Sequence, residues 1–287
     1  MKRAVIEPQL TMVVDDQLDF KAKGGVLIDD KVAAVKWYGF AAGNPRQGLP
    51  NFIPLIILNA LPTGKPLSVL NGHWISGMRT AAISAVAART LADPRSDSVG
   101  FIGAGLQALS HLDALRADFP LRRILVHSRT RETAAGLLAR ASTYGIDAMW
   151  SADSELAVRD QPIVVSCIPR MTERAAYLDA GWLARGAFAA MVDAGTAWIP
   201  ESLGAIDRAY TDHLDPITNR PLETLFYSGA FAGQLSDIAG RRAAELGLTS
   251  GERRAMIFGG SGLADTAVAA LAYRRACERG LGTRLAM

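Results

Sequence analysis

The chain has 287 residues, 49% of them hydrophobic and 21% charged, which gives enough apolar material for a full core in one large or two medium domains. The formal net charge of +3 is small and its basic residues are scattered, which argues against a nucleic-acid or membrane stripe. Cys167 and Cys277 are too distant in sequence for a CxxC metal site or a disulfide framework, and no His/Asp/Glu grouping has metal-ligand spacing.

The opening MKRAVIEPQLTMVVDDQ places acids where a signal peptide needs an apolar core, and no apolar run has membrane-spanning length, so the expected location is the cytoplasm. Residues 10–60 read as β-rich: LTMVVDD, LDFKAKGG, VLI and VAAVKWYGF are short runs broken by Asp and Gly, as antiparallel hairpins require. AAGNPRQGLP is a turn-rich loop, NFIPLIILN a buried strand and LSVLNG the next strand. In WISGMRTAAISAVAARTLAD, residues Ile75, Met78, Ala82, Ile83, Val86 and Leu91 recur at helical spacing, and DPRSD stops that helix. From residue 98 the pattern changes. SVGFIGA, RILVHS, DAMW, PIVVSCI, AFAAMVDA and RAYTD read as strands, with helices near 105–117, 131–144 and 153–159. Apolar strands alternating with amphipathic helices predict an α/β fold with a doubly wound parallel sheet of Rossmann type, beside a smaller β-rich α+β domain. The expected domains are 1–95 and 96–263, with the strong final helix, within 264–287, returning to the first.

Gly103-Ala104-Gly105-Leu106-Gln107-Ala108 fits G-x-G-x-x-G/A, follows a strand and opens a helix. Gly103 permits the tight turn, Gly105 lets backbone approach a pyrophosphate, and Ala108 lets the helix pack close, while the helix N-terminus favours the anion. The second strand ends in His127-Ser128-Arg129-Thr130-Arg131, with no acid to accept from ribose hydroxyls. Arg129 suits a 2′-phosphate, with hydrogen bonds from Ser128 and Thr130, so NADP(H) is expected ahead of NAD(H).

Three stretches together resemble the ornithine cyclodeaminase/mu-crystallin family: residues 35–92 with Lys36, Asn44, GLP and RTAA; GFIGAGLQA; and FGGSGLADTAVAALAYRRACERGLG. The resemblance implies an enzyme using a nicotinamide dinucleotide to interconvert α-imino and α-amino acids, built as a homodimer on its first domain, where the substrate also binds. That domain is accordingly read as substrate-binding and dimerising, and the second as dinucleotide-binding. The family's cyclodeaminase carries an acid at the second strand, where this chain reads HSRT, closer to the NADPH-using reductases. Members also carry an N-terminal arginine for the substrate carboxylate. Here Lys21 and Lys23, two apart and so on one face of a strand, stand in for it, with Lys23 the candidate.

Lys36 lies inside an apolar run, where burial would lower its pKa and fit it to hold a carboxylate or pass a proton; the bland reading is an edge-strand lysine in water. Arg79 offers a planar fork to an α-carboxylate, unless it merely balances Asp93 or Asp97. Thr80 and Ala81 follow it toward the cofactor. Asp193, ending AFAAMVDAG, is read as catalytic acid/base or as an ordinary turn aspartate. His111 is expected to pack or touch cofactor-side backbone, and His73 to neighbour a helix cap. The leading function is an NAD(P)H-dependent imino-acid reductase, in reverse an amino-acid dehydrogenase. A cyclodeaminase-type ammonia lyase and a non-catalytic small-molecule binder are the alternatives.

Overall fold

The computed structural model describes residues 4–6, 9–169, 176–214 and 227–285. The first sheet contains β1 (Ala4–Ile6), β2 (Leu10–Val13), β3 (Leu18–Leu27), β4 (Val32–Ala41), β5 (Phe52–Ala60) and β6 (Pro66–Asn71). Its order is β1-β3-β4-β5-β6, with β2 also paired to β3, and all pairs are antiparallel. LDFKAKGG and VLI are thus one strand, not two. Strand alternation puts Val32, Ala34 and Lys36 of β4, and Pro54, Ile56 and Leu58 of β5, on the covered face. Ile53, Leu55 and Ile57 point the other way and are 49%, 50% and 39% exposed, so NFIPLIILN is buried on one face only. Its uninterrupted apolar run hid that alternation.

Helix α1 (Gly72–Leu91) follows. It is buried on nearly every side except Ala82 and Arg89 in its second half, so Ala82 does not belong to the apolar face its spacing indicated. The chain then runs through β7 (Ser98–Ile102), helix α2 (Leu106–Asp118), β8 (Arg123–His127), helix α3 (Arg131–Thr143), β9 (Asp147–Ser151), β10 (Ile163–Ser166), β11 (Phe188–Met191), β12 (Arg208–Thr211), β13 (Gly233–Gln234), helix α4 (Leu235–Ile238) and β14 (Arg254–Ile257), whose strands form the second sheet. Eight parallel strands run in the order β13-β12-β14-β11-β10-β7-β8-β9. Ile163–Ser166, Phe188–Met191 and Arg254–Ile257 are buried throughout, as strands covered on both faces must be. The helix expected near 153–159 is instead a run of turns, cut off by the Arg159–Leu183 bridge and by Asp160 at positive φ.

Helix α5 (Gly262–Glu278) closes the chain and packs on β3 and β4. The chain divides into two compact units, Met1–Arg79 with Ser261–Met287, and Thr80–Gly260. The first break lies inside α1, not at 95/96, because the two halves of that helix have different partners. Ile75 joins Ile56, Leu58 and Ala269 in the first core. Farther along, Ser84 bonds His111, Thr90 donates to the Ile238 carbonyl, and Arg254 donates to the Leu91 carbonyl. Among the described residues no helix is long and apolar enough to cross a membrane.

Candidate functional site

In the first unit, β4 places a lysine where alternation calls for a core side chain. Lys36 is 2% exposed on a strand flanked by β3 and β5, so it is not an edge lysine facing water. Its Nζ lies 2.7 Å from Asp265 Oδ2, and 5.5 and 5.7 Å from the ring centres of Tyr38 and Phe52. Directly opposite on β3 stands Lys23, itself buried. Lys21, the other lysine of that strand face, approaches Asp19 at 3.6 Å. Burial first, then Arg79, pushes the Lys36 ammonium down to about 7 against the opposing pull of Asp265.

Arg79 balances neither Asp93 nor Asp97. Its Nε lies 3.1 Å from Asp265 Oδ1 and Asp93 pairs instead with Arg95. The contact with Asp265 joins Arg79, on α1, to the same carboxylate that Lys36 meets from β4. Asp265 comes from the first turn of α5, behind the Ser261 N-cap. Burial works against its ionisation, but Arg79 and Lys36 outweigh that and hold the carboxyl below its ordinary range. The expected pair Lys36 and Arg79 therefore come together, and on a residue the sequence reading missed. The available signal was a lone acid among small and apolar residues in SGLADTAV.

In the second unit the Gly103–Gln107 loop leaves the C-terminal end of β7, where strand order turns back between β7 and β10. Ligands of open α/β sheets bind at such an edge. Gly103 is required by the fold itself: φ is +102°, and a Cβ would come 2.9 Å from the Cys167 carbonyl oxygen. Gly105 is different. It is exposed, extended at φ −85° and ψ −160°, and a Cβ there would meet nothing within 4 Å. Protein packing gives no reason for glycine at this position, whereas a ligand lying on the backbone does. Helix α2 starts there without a side-chain cap, so its first N–H groups suit an anion. Ala104 and Leu106 flank this glycine, and Ala108 is fully buried. His111 is buried behind the loop. Its Nδ1 donates to the Gln107 carbonyl at 2.7 Å, so Nε2 accepts from the Ser84 hydroxyl at 2.7 Å. Burial lowers this imidazole to about 4, so it is neutral and anchors the loop's helix.

At the end of β8, Arg129 is exposed and enters no ion pair among the described residues. Ser128 and Thr130 are engaged locally: Ser128 Oγ donates to the Thr130 carbonyl at 2.8 Å, and Thr130 Oγ1 accepts from the Thr133 N–H as the N-cap of α3. Thr80 is buried at the start of the second unit, and the His73 N–H is capped by Asn71.

Asp193 lies just past β11, beside the end of β10. Its Oδ1 accepts from the Ser166 hydroxyl at 3.0 Å and the Gly195 N–H at 3.2 Å, and Trp198 Nε1 donates to Ser166 Oγ at 2.9 Å. Ala194, at φ +58°, turns the chain so that these groups converge. Oδ2 is buried, and among the described residues it has no hydrogen-bond partner. Burial raises this carboxyl to about 6, opposed by the Ser166 and backbone hydrogen bonds. A buried acid with one committed and one open oxygen is suited to proton exchange. Ser166 and Trp198 were not singled out from sequence, because 27 and 32 residues separate the bonded pairs. Burial pushes the Cys167 thiol up, which disfavours its thiolate. Among the described residues no cluster of three or more His, Cys, Asp or Glu side chains suits a metal ion.

Residues 6–199 match the sequence model of the ornithine cyclodeaminase/mu-crystallin family. The chain is 28% identical over 261 residues to alanine dehydrogenase of Archaeoglobus fulgidus, covering 88% of this chain and 80% of that one. It is 25% identical over 253 residues to Δ1-pyrroline-2-carboxylate reductase of Bacillus cereus, covering 84% and 77%. The fold matches that of Thermococcus litoralis Δ1-pyrroline-2-carboxylate reductase, solved with NADH and L-proline, at a TM-score of 0.85 over 98% of this chain and 90% of that one, with 23% identity. The family match spans well over half of the sequence, and the chain belongs to the ornithine cyclodeaminase/mu-crystallin family.

Proposed function

We propose that the protein is an NAD(P)H-dependent oxidoreductase that interconverts an α-imino acid and the corresponding α-amino acid. The observation that carries this reading is the sharing of one carboxylate by two cations. Asp265 approaches Lys36 through Oδ2 and Arg79 through Oδ1, so two cations share one anion and an excess positive charge is left that suits an incoming carboxylate. A bidentate, charge-assisted grip of that kind fixes an amino or imino acid by the group all such substrates share. Lys23 adds positive charge beside it.

In the second unit, Gly103, Ala104, Gly105, Leu106 and Gln107, with Thr80, are the proposed dinucleotide contacts. The open backbone at Gly105 and the uncapped start of α2 fit a pyrophosphate. Exposed Arg129, on backbone fixed by the Ser128 and Thr130 hydrogen bonds, takes a 2′-phosphate, and this favours NADP(H) over NAD(H). The bound dinucleotide supplies hydride to the α-carbon, or receives it in the reverse direction. Asp193, near 6, gives a proton to the imine nitrogen in reduction and takes it back in oxidation.

The assembly we infer is a homodimer through the open face of the first sheet. Ile53, Leu55 and Ile57 line up there with Trp37 and Val69, all exposed. A contiguous apolar patch on a sheet face is a mark of an interface. The activity is tested by an NADPH oxidation screen over 2-oxo acids with ammonia or methylamine and over preformed cyclic ketimines. Turnover with at least one is expected; none across the whole panel, from protein that binds NADPH, would refute the reading.

A further inference from the structure

Asp265 takes no proton and touches no reacting atom in the reaction proposed above, yet the packing around it fixes its place. A Cβ on Gly262 would come 2.1 Å from the Gly24 carbonyl oxygen, and one on Gly25 would come 2.8 Å from the Gly262 backbone. Thr266 Oγ1 donates to the Gly25 carbonyl at 3.2 Å. These contacts seat the first turn of α5 directly on the backbone of β3, at a depth larger residues would not allow. That depth brings a 1%-exposed carboxylate to Lys36 Nζ at 2.7 Å and Arg79 Nε at 3.1 Å.

We propose that Asp265 is the positioning residue of the substrate dock: seated at the α5–β3 seam, its carboxylate orients Lys36 and Arg79 together and offsets their charge. The proposal rests on the reading of Lys36 and Arg79 as that dock. The charged groups facing Lys36 among the described residues are Asp265 from α5, Arg79 from α1 and Lys23 from β3, with the Tyr38 and Phe52 rings nearby. Burial, Arg79 and Lys23 all drive the proton off, and Asp265 alone opposes them. With Asp265 the balance sits near 7. Without its charge, a desolvated ammonium would face two cations, and Lys36 would be neutral at the pH where it must hold a carboxylate.

The test is direct titration of Lys36 in the whole protein, labelled with ε-¹³C-lysine and followed by NMR, with the signal assigned through Lys36→Met. A midpoint near neutrality is expected. Asp265→Asn should lower it by at least one pH unit, Asp265→Glu should restore part of the difference, and Arg79→Gln should raise it. Opposite signs in two variants of one ion cluster do not follow from general loosening. An unchanged midpoint in folded Asp265→Asn, or a shift of the same sign in Asp265→Asn and Arg79→Gln, would overturn the proposal. Should Asp265→Asn fail to fold, Arg79→Gln still decides, since no upward shift there contradicts the shared carboxylate. The readout needs no turnover: a midpoint that moves as stated without imino-acid activity would uphold the positioning role and refute the reaction, whereas activity with an unmoved midpoint would do the reverse.

Discussion

Arg79→Ala separates docking from cofactor binding. In the native protein the Arg79 side chain is 11% exposed and its Nε lies 3.1 Å from Asp265 Oδ1, so the guanidinium is held in place by an ion pair before a ligand arrives. Alanine removes both a charged donor pair and the pre-set geometry. A charge-assisted hydrogen bond contributes about 1.5–3 kcal/mol, and a bidentate pair in a largely desolvated place about 2–4 kcal/mol. At about 1.4 kcal/mol per decade, kcat/KM for an imino acid should fall roughly thirty- to a thousandfold. The dinucleotide is assigned to the Gly103–Gln107 loop, so NADPH affinity should hold within about a factor of two. The assay is NADPH fluorescence titration beside steady-state kinetics, with Arg79→Lys as control; a single ammonium keeps charge but loses the fork, and should recover only part of the loss. Full activity in Arg79→Ala, or parallel loss of NADPH binding and activity, would show that Arg79 serves the fold or the cofactor instead.

Other expectations follow from the same geometry. NADPH should bind at least tenfold more tightly than NADH, about 1.4 kcal/mol, and Arg129→Ala should narrow the gap, as measured by competitive titration; tighter NADH binding in the native protein would remove the argument. If Asp193 is the proton donor proposed for imine reduction, kcat/KM should decline as pH rises through about 6. Ser166→Ala removes a bond that favours the carboxylate, so the decline should move to higher pH by up to about one unit. Asp193→Asn should abolish that limb and lower kcat by roughly 10²–10⁴. Leu55→Glu places a charge in the centre of the proposed interface, at a cost of several kcal/mol if buried, and light scattering should then report a monomer where the native protein gives a dimer.

What could be read from the sequence was local. Gly103 through Ala108, with a strand before and a helix after, carries its own context, and Arg129 without an acid nearby is a statement about four adjacent residues. Lys36 was visible because a lysine in an apolar run breaks the pattern around it. Asp265 was not, because its meaning depends on residues 36 and 79 and on the contact of α5 with β3, which no periodicity records. The same holds for Ser166 and Trp198. Strand β14 also escaped notice: only four residues long, it opens with Arg254, whose buried guanidinium reaches the Leu91 carbonyl and so looks like a surface residue in sequence. The turns at 153–159 misled for the opposite reason, since local helix propensity there loses to a bridge with Leu183.

The central claim is that hydride passes between a nicotinamide and the α-carbon of an imino acid with net change in both. Its most direct test is a single-turnover reaction with NADPH carrying deuterium at both C4 positions, followed by mass spectrometry and NMR of the product. The account predicts one deuterium at Cα of the amino acid and one equivalent of NADP⁺. Ammonia release from a diamino acid with no net oxidation of the cofactor, or bound NADPH that keeps its deuterium in the presence of every imine, would contradict it.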